Sequence, residues 1–238
     1  MSDLLRQLLE EGTIALGIWE TVYMTVLSTA FAYLLGLPLG VILCITDKNG
    51  LKPIVWLNKT LGVIVNFFRS IPFIILMVAF LPVAKTIVGT SLGNEAVIVM
   101  LVIAAAPYVA RMVESSLKEV DKGVIEAAEA MGASTFEIIF KVLLPEAKPA
   151  LLIGAVISTV TVLGYSAMAG TIGGTGLGQI AIDLGHKRFK DDVIWVCVVL
   201  IVIIVQIIQE LGMFAVRRVD KRIGGKKRKK SAKTAEEK

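Results

Sequence analysis

The sequence predicts an all-α membrane protein of five transmembrane helices, with an amphipathic helix lying outside the bilayer between the third and fourth. Three observations carry that expectation. Of 238 residues, 55% are hydrophobic and only 19% charged, and mean hydropathy is +0.77, a balance foreign to soluble domains. Five apolar blocks come close to or exceed the roughly 20 residues that a helical span requires. Lys and Arg, finally, fall unequally between alternate connecting segments. No polar stretch is long enough to build a core of its own, which excludes a separate soluble domain.

The elements follow in order. Residues 1–20 form an amphipathic lead-in, and the opening MSDLLRQLLEEG lacks the basic-then-apolar order of a cleavable signal peptide. The first span covers 21–45, and the turn-rich DKNGLKP at 47–53 follows it. A second span is expected over 57–81, interrupted by Arg69 and Pro72. The third covers 96–113 with Pro107 inside, the fourth 150–169 and the fifth 193–216. Between the last two lies a Gly-rich and then charged stretch, 171–192. A basic tail, 217–238, closes the chain around GGKKRKK. Cys44 and Cys197 sit in apolar blocks and read as small buried hydrophobes, neither disulfide nor metal ligands.

Charge placement orients the spans. With the tail in the cytoplasm, Lys48, Lys52, Lys59, Arg111, Lys118, Lys122, Lys141 and Lys148 also face inward. The outer side keeps Arg6, Lys85, Lys187, Arg188 and Lys190. Five is odd, so the N-terminus and the lead-in are expected outside. The tail itself needs no nucleic acid to explain it, because anionic lipid attracts basic residues near the surface.

The stretch DKGVIEAAEAMGASTFEIIFKVLLP, 121–145, stands apart. Asp121 suits a helix N-cap, and Pro145 and Pro149 are expected to end the helix at Leu144. Ile125, Ala128, Met131, Gly132, Phe136, Ile139 and Phe140 recur at helical spacing, with Glu126, Glu129, Glu137 and Lys141 on the other side. Such a helix either lies in the headgroups or plugs into another protein. Ala127, Ala128 and Gly132 would let a partner's backbone approach, and Phe136 and Phe140 offer area to bury.

Glu126-Ala127-Ala128, then Gly132, then Leu144-Pro145 resembles the EAA signature of ABC-importer permeases, with Val142 where that family carries Ile. NFFRSIPFIIL, AAPYVARMVESSL, VGTSLG and LGYSAMAGTIGGTGLGQI are similar to the methionine members of the family, and the similarity runs over about residues 15–216. The resemblance implies a permease domain over 21–216 whose 121–145 helix docks on a separate ATPase through Glu126, Ala127, Ala128, Gly132, Phe136, Leu144 and Pro145. It also implies a working unit of two permease copies, two ATP-binding subunits and an extracytoplasmic methionine-binding lipoprotein. ATP would be bound by the partner, since this chain needs no cofactor or metal of its own. Import of another small amino acid is the nearest alternative, and a scaffold or receptor without transport a more distant one.

Other features carry less. Gly164-Tyr165-Ser166-Ala167 has the look of a serine nucleophile, but the lone His186 falls in an outer loop, so an intramembrane enzyme is disfavoured. GTIGGTGLG at 170–178 lacks the Lys-Ser/Thr of a phosphate loop; it reads as a flexible outer mouth or as a tight re-entrant turn. Arg69 is either at membrane depth, hence functional, or merely interfacial. Arg69, Tyr165, Ser166 and Met168 are the candidates for the translocation path and its gate.

Overall fold

The computed structural model describes residues 3–219. Its elements are α1 (Asp3–Glu10), α2 (Thr13–Thr46), α3 (Val55–Ser70), α4 (Phe73–Val88), α5 (Asn94–Lys118), α6 (Lys122–Ala130), α7 (Thr135–Glu137), α8 (Leu144–Ala169), α9 (Leu177–Gln179) and α10 (Asp191–Val219). A π-helical turn, Ile138–Leu143, joins α7 to α8, and a second, Ile180–His186, follows α9. The basic tail expected over 217–238 lies outside the described residues from 220 onward.

Among the described residues, four helical runs are long and apolar enough to cross a membrane: Thr13–Thr46, Asn94–Lys118, Thr135–Ile172 and Asp191–Val219. The second expected span, 57–81, is a bent pair. α3 and α4 meet at 108°, because Ile71 ahead of Pro72 takes extended backbone and Pro72 has no N–H to continue the ladder. The pair still links the two ends of the bundle. Asn58 of α3 donates to the Leu43 carbonyl at 2.7 Å near the end of α2, whereas α4 leads into α5 beside Gly93, which bonds Gly173 at the opposite end. The pair is therefore one crossing, broken midway.

The centre is the α2–α5 contact. Gly36 and Gly40 are spaced one turn apart on α2, and a Cβ on either would lie 2.6–2.7 Å from Val109, Val113 or the Ala110 carbonyl. Small residues at that spacing let two membrane helices touch backbone to backbone. Around it Met24, Ala32, Met77, Met100, Leu101, Val109, Val113 and Val162 form the main core. A second cluster joins Leu5, Leu8 and Ile14 to Leu163, Leu177, Val193 and Cys197. The lead-in is thus packed onto the bundle, and α2 begins at Thr13, so the boundaries expected at 20/21 and 216/217 fall inside α2 and α10. Cys44 and Cys197 are buried and free.

The Gly-rich stretch is a re-entrant turn. Leu177 N–H donates to Thr21 Oγ1 at 2.9 Å, Gly174 N–H to the Ala169 carbonyl at 3.0 Å, and Thr175 bonds Asn94. A Cβ on Gly178 would stand 2.2 Å from the Ala167 carbonyl oxygen, and one on Gly170 2.4 Å from the Gln179 nitrogen. Of the two expected readings, the tight turn is the one the geometry has.

Candidate functional site

At the end of the bundle opposite that turn, the chain leaves α5 and builds a short surface layer. Asp121 caps α6, accepting from the Gly123 N–H at 2.7 Å. The helix expected over 121–144 is two helices. α6 stops at Ala130, Gly132 follows with φ +79°, and its N–H and that of Ala133 bond the Glu129 and Ala128 carbonyls. Such a left-handed residue closes a helix, and glycine enters it without the penalty a Cβ brings. Ser134 then restarts the chain with a reciprocal capping box: the Glu137 N–H bonds Ser134 Oγ, and Glu137 Oε2 accepts from the Ser134 N–H at 3.1 Å.

The second correction is at Pro145. The helix does not end at Leu144 but passes through the π turn Ile138–Leu143 into α8, with Pro145 in its first turn. Within the continuous run Pro145 forfeits one backbone hydrogen bond, and the π turn before it, where the Leu144 N–H reaches back to the Ile139 carbonyl, accommodates the ring. One continuous helical run, Thr135–Ile172, therefore reaches from the surface layer through the span.

The seven candidate docking residues separate into two groups. Ala128 is 4% exposed, and Leu144 packs with Ile125 against the main core. Ala128 therefore belongs to the interior of this chain, whereas Leu144 is half-buried. Glu126, Ala127, Gly132, Phe136 and Pro145 are exposed. Gly132 faces open space, with nothing within 4 Å of a Cβ placed there. Within this chain its constraint is backbone conformation. Phe136 and Phe140 lie with ring centroids 4.4 Å apart, 68% and 54% exposed, and Met131 beside them is 81% exposed. Val124 is a further exposed member. The helical spacing of Met131, Phe136 and Phe140 is legible in the sequence; Val124, two turns before Met131, falls on the same side of α6.

Charge is arranged around this apolar face. Lys141 donates to Glu137 at 2.9 Å, and that bond, with those from Ser134, holds the Glu137 carboxyl down at about 2. Glu126 and Glu129 line a cavity of about 420 Å3 between α6 and the 47–51 loop, together with Asp47, Lys118 and Lys122. Lys118 donates to Asp47 at 2.7 Å, and with the Asn49 N–H lowers the Asp47 carboxyl below its ordinary range. Lys118 also reaches Glu114 at 2.8 Å, which Arg111 binds at 2.6 Å while donating to the Gly62 carbonyl at 3.1 Å. This ionic chain ties α3, α5 and the α2–α3 loop together.

The four translocation candidates also divide. Tyr165 stacks on Phe73 with centroids 4.2 Å apart and planes 8° from parallel. With Arg69, it lines a cavity at the α3–α4 break. Met168 is 50% exposed near the end of α8. Ser166 is 1% exposed, donates to the Leu163 carbonyl at 2.8 Å and lies 3.5 Å from Thr25 Oγ1. Its hydroxyl belongs to the α2–α8 contact and lines neither of these two cavities. Among the described residues, no group of three or more His, Cys, Asp or Glu could hold a metal ion.

Residues 32–225 match the family described as binding-protein-dependent transport system inner membrane component. The chain is similar to the probable D-methionine transport system permease protein MetI of Vibrio cholerae, 52% identical over 86% of this chain and 91% of that one. It is similar also to the methionine import system permease protein MetP of Bacillus subtilis, 47% identical over 86% and 92%. Among solved structures, it superimposes on a chain of the inward-facing MetNI methionine ABC transporter with TM-score 0.87 and 46% identity, over 92% of this chain and 99% of that one. A chain of an amino acid ABC transporter, 18% identical with TM-score 0.75, shares the fold.

Proposed function

Because the chain belongs to the family of binding-protein-dependent transport-system inner membrane components, we propose that it is the membrane-spanning subunit of an ATP-driven importer for methionine. It is a transport subunit and not an enzyme; a separate ATPase binds and hydrolyses ATP. Two copies of this chain and two ATPase subunits form the unit, and an extracytoplasmic lipoprotein delivers the amino acid. The observation that carries this reading is the exposed Val124, Met131, Phe136 and Phe140 face at one end of the bundle. Large apolar side chains left bare in a water-facing layer mark a surface that a partner covers. Fully burying each phenylalanine would contribute about 1.5–3 kcal/mol.

Charge supports the orientation. Lys48, Lys52, Lys59, Lys122, Lys141 and Lys148 belong to the end that carries this face, while Lys85, Lys187, Arg188 and Lys190 belong to the other. The docking layer is then cytoplasmic, the lead-in extracytoplasmic, and the C-terminal tail cytoplasmic, near anionic lipid. The bundle with its lead-in, 3–219, is then one permease unit, and the docking layer is its 121–137 segment.

The mechanism is alternating access. ATP draws the two ATPase subunits together, and α6 and α7 move with them. Because the run Thr135–Ile172 is unbroken, that displacement tilts α8 and with it Tyr165 and Met168. ATP can drive the change only as far as it binds one state better than the other. Met168, with Tyr165 and Arg69, forms the gate along the dimer axis; Ser166 holds α8 against α2. The experiment is uptake of labelled methionine into vesicles containing the whole complex, with other amino acids as competitors. Uptake that requires ATP and is displaced best by methionine is expected. Preference for a different amino acid would contradict the substrate, and uptake without ATP would contradict the mechanism.

A further inference from the structure

Arg69 ends α3 at the break, and Ala104 and Tyr108, beside it, stand near the middle of the 25-residue α5. That placement, midway between the two ends of the bundle, favours membrane depth over the interface for this arginine. There it is exposed and has no hydrogen-bond or ionic partner among the described residues. An unpaired guanidinium at such depth is costly and calls for a counter-charge or water. Beside it lies a cavity of about 220 Å3 lined by Phe68, Arg69, Phe73, Leu76, Tyr108 and Tyr165, among others. That is below the roughly 300–1,000 Å3 typical of pockets for drug-sized ligands. One cation and four aromatic rings around a small space form a chemically narrow set.

We propose that this cavity is a substrate subsite inside the permease, where Arg69 holds the carboxylate of an α-amino acid and the stacked Phe73–Tyr165 pair takes its side chain. The guanidinium presents a planar fork of donors that matches a carboxylate in two parallel bonds, which an ammonium cannot do. A thioether packs favourably against aromatic ring edges, and a face made of Phe73 and Tyr165 offers no charged group to a polar side chain. The subsite lies where α3 and α4 break, so a change in their 108° bend moves Arg69 at the end of α3 relative to Phe73 in the first turn of α4. The site rests on the reading of the protein as an amino-acid importer.

The test uses the complex of this chain with its ATPase in nanodiscs, without the binding protein. Labelled methionine is bound, then displaced by methionine or by methionine amide, which lacks the carboxylate charge. Wild-type complex should favour methionine over the amide at least tenfold. Arg69→Leu should weaken methionine at least tenfold and abolish that preference; Arg69→Lys should fall between. Phe73→Ala should shrink the preference for methionine over alanine while keeping the preference over the amide. The proposal is overturned if Arg69→Leu, recovered with its ATPase, binds methionine as wild type does and still rejects the amide. Absence of methionine binding to a wild-type complex that transports it overturns it equally. If the wild-type complex transports a different amino acid, the methionine reading fails instead, and the same variants are read with that amino acid and its amide.

Discussion

Two of the segments outside the spans, both rich in small residues, are built in opposite ways. The 170–178 turn at one end is locked into its own bundle: Gly170 and Gly178 touch backbone where a Cβ would stand, and Leu177 and Thr175 are bonded to α2 and α5. The 121–137 layer at the other end rests on the bundle through little more than Ala128 and Ile125 and turns its large apolar groups outward. The difference teaches what exposure means here. A segment satisfied by its own chain is scaffold for its end of the bundle, and one left bare is the surface proposed above to meet the ATPase. Glycine makes the contrast sharp, since Gly178 is needed for space and Gly132 for backbone conformation.

Substitutions can break this comparison. The largest effect is expected from Gly178→Val, which forces a side chain against the Ala167 carbonyl. Overpacking of this kind costs about 1–3 kcal/mol, and more where backbone cannot yield. Loss of folded, detergent-extractable protein is expected; a normal melting temperature would show the turn to be loose. Phe136→Ala should do the reverse. Its ring is 68% exposed, so thermal stability should hold while ATPase binding weakens by about 2 kcal/mol or more, roughly thirty-fold. Unchanged affinity in titration with purified ATPase would remove Phe136 from the interface.

Gly132→Ala comes next. There is room for the methyl group, but at φ +79° an L-residue costs roughly 1–2 kcal/mol. Gly132→Asn should recover part of that, because asparagine tolerates the left-handed region. If alanine and asparagine behave alike, the constraint lies in the partner and not in the turn. Smallest is the pH response of the α7 cap. Glu137 has its carboxyl lowered from 4.5 to about 2, so the stabilisation it gives is present above pH 4.5 and is lost as pH falls toward 2. Docking should therefore show no Glu137-dependent change between about pH 5 and 8, and Glu137→Gln should leave the profile over that interval flat.

Much of this was legible beforehand, and what was not has physical causes. Apolar block length marked the spans, because the bilayer sets a minimum length for any crossing helix; the Lys/Arg asymmetry carries the proposed orientation. The break at Ile71–Pro72 was visible as an interruption, but a 108° bend is a tertiary outcome that periodicity cannot carry. Periodicity also put Ala128 and Phe136 on one helix face. It failed because Gly132 ends that helix and resets the phase, so Ala128 turns inward and Phe136 outward. Pro145 was read as a stop, whereas the π turn ahead of it lets the helix continue. Ser166 and Met168, two residues apart, were grouped by sequence and are separated by burial.

Cover of the outward face of α6 and α7 by the ATPase is the central claim. It is tested most directly by thiol labelling of Met131→Cys in inside-out membrane vesicles, before and after the ATPase is stripped away. Met131 is 81% exposed in this chain, and both native cysteines are buried. Protection is expected in the intact complex and rapid labelling once the ATPase is removed, with Ala128→Cys slow in both. Equal labelling of Met131→Cys with and without the ATPase would contradict the claim.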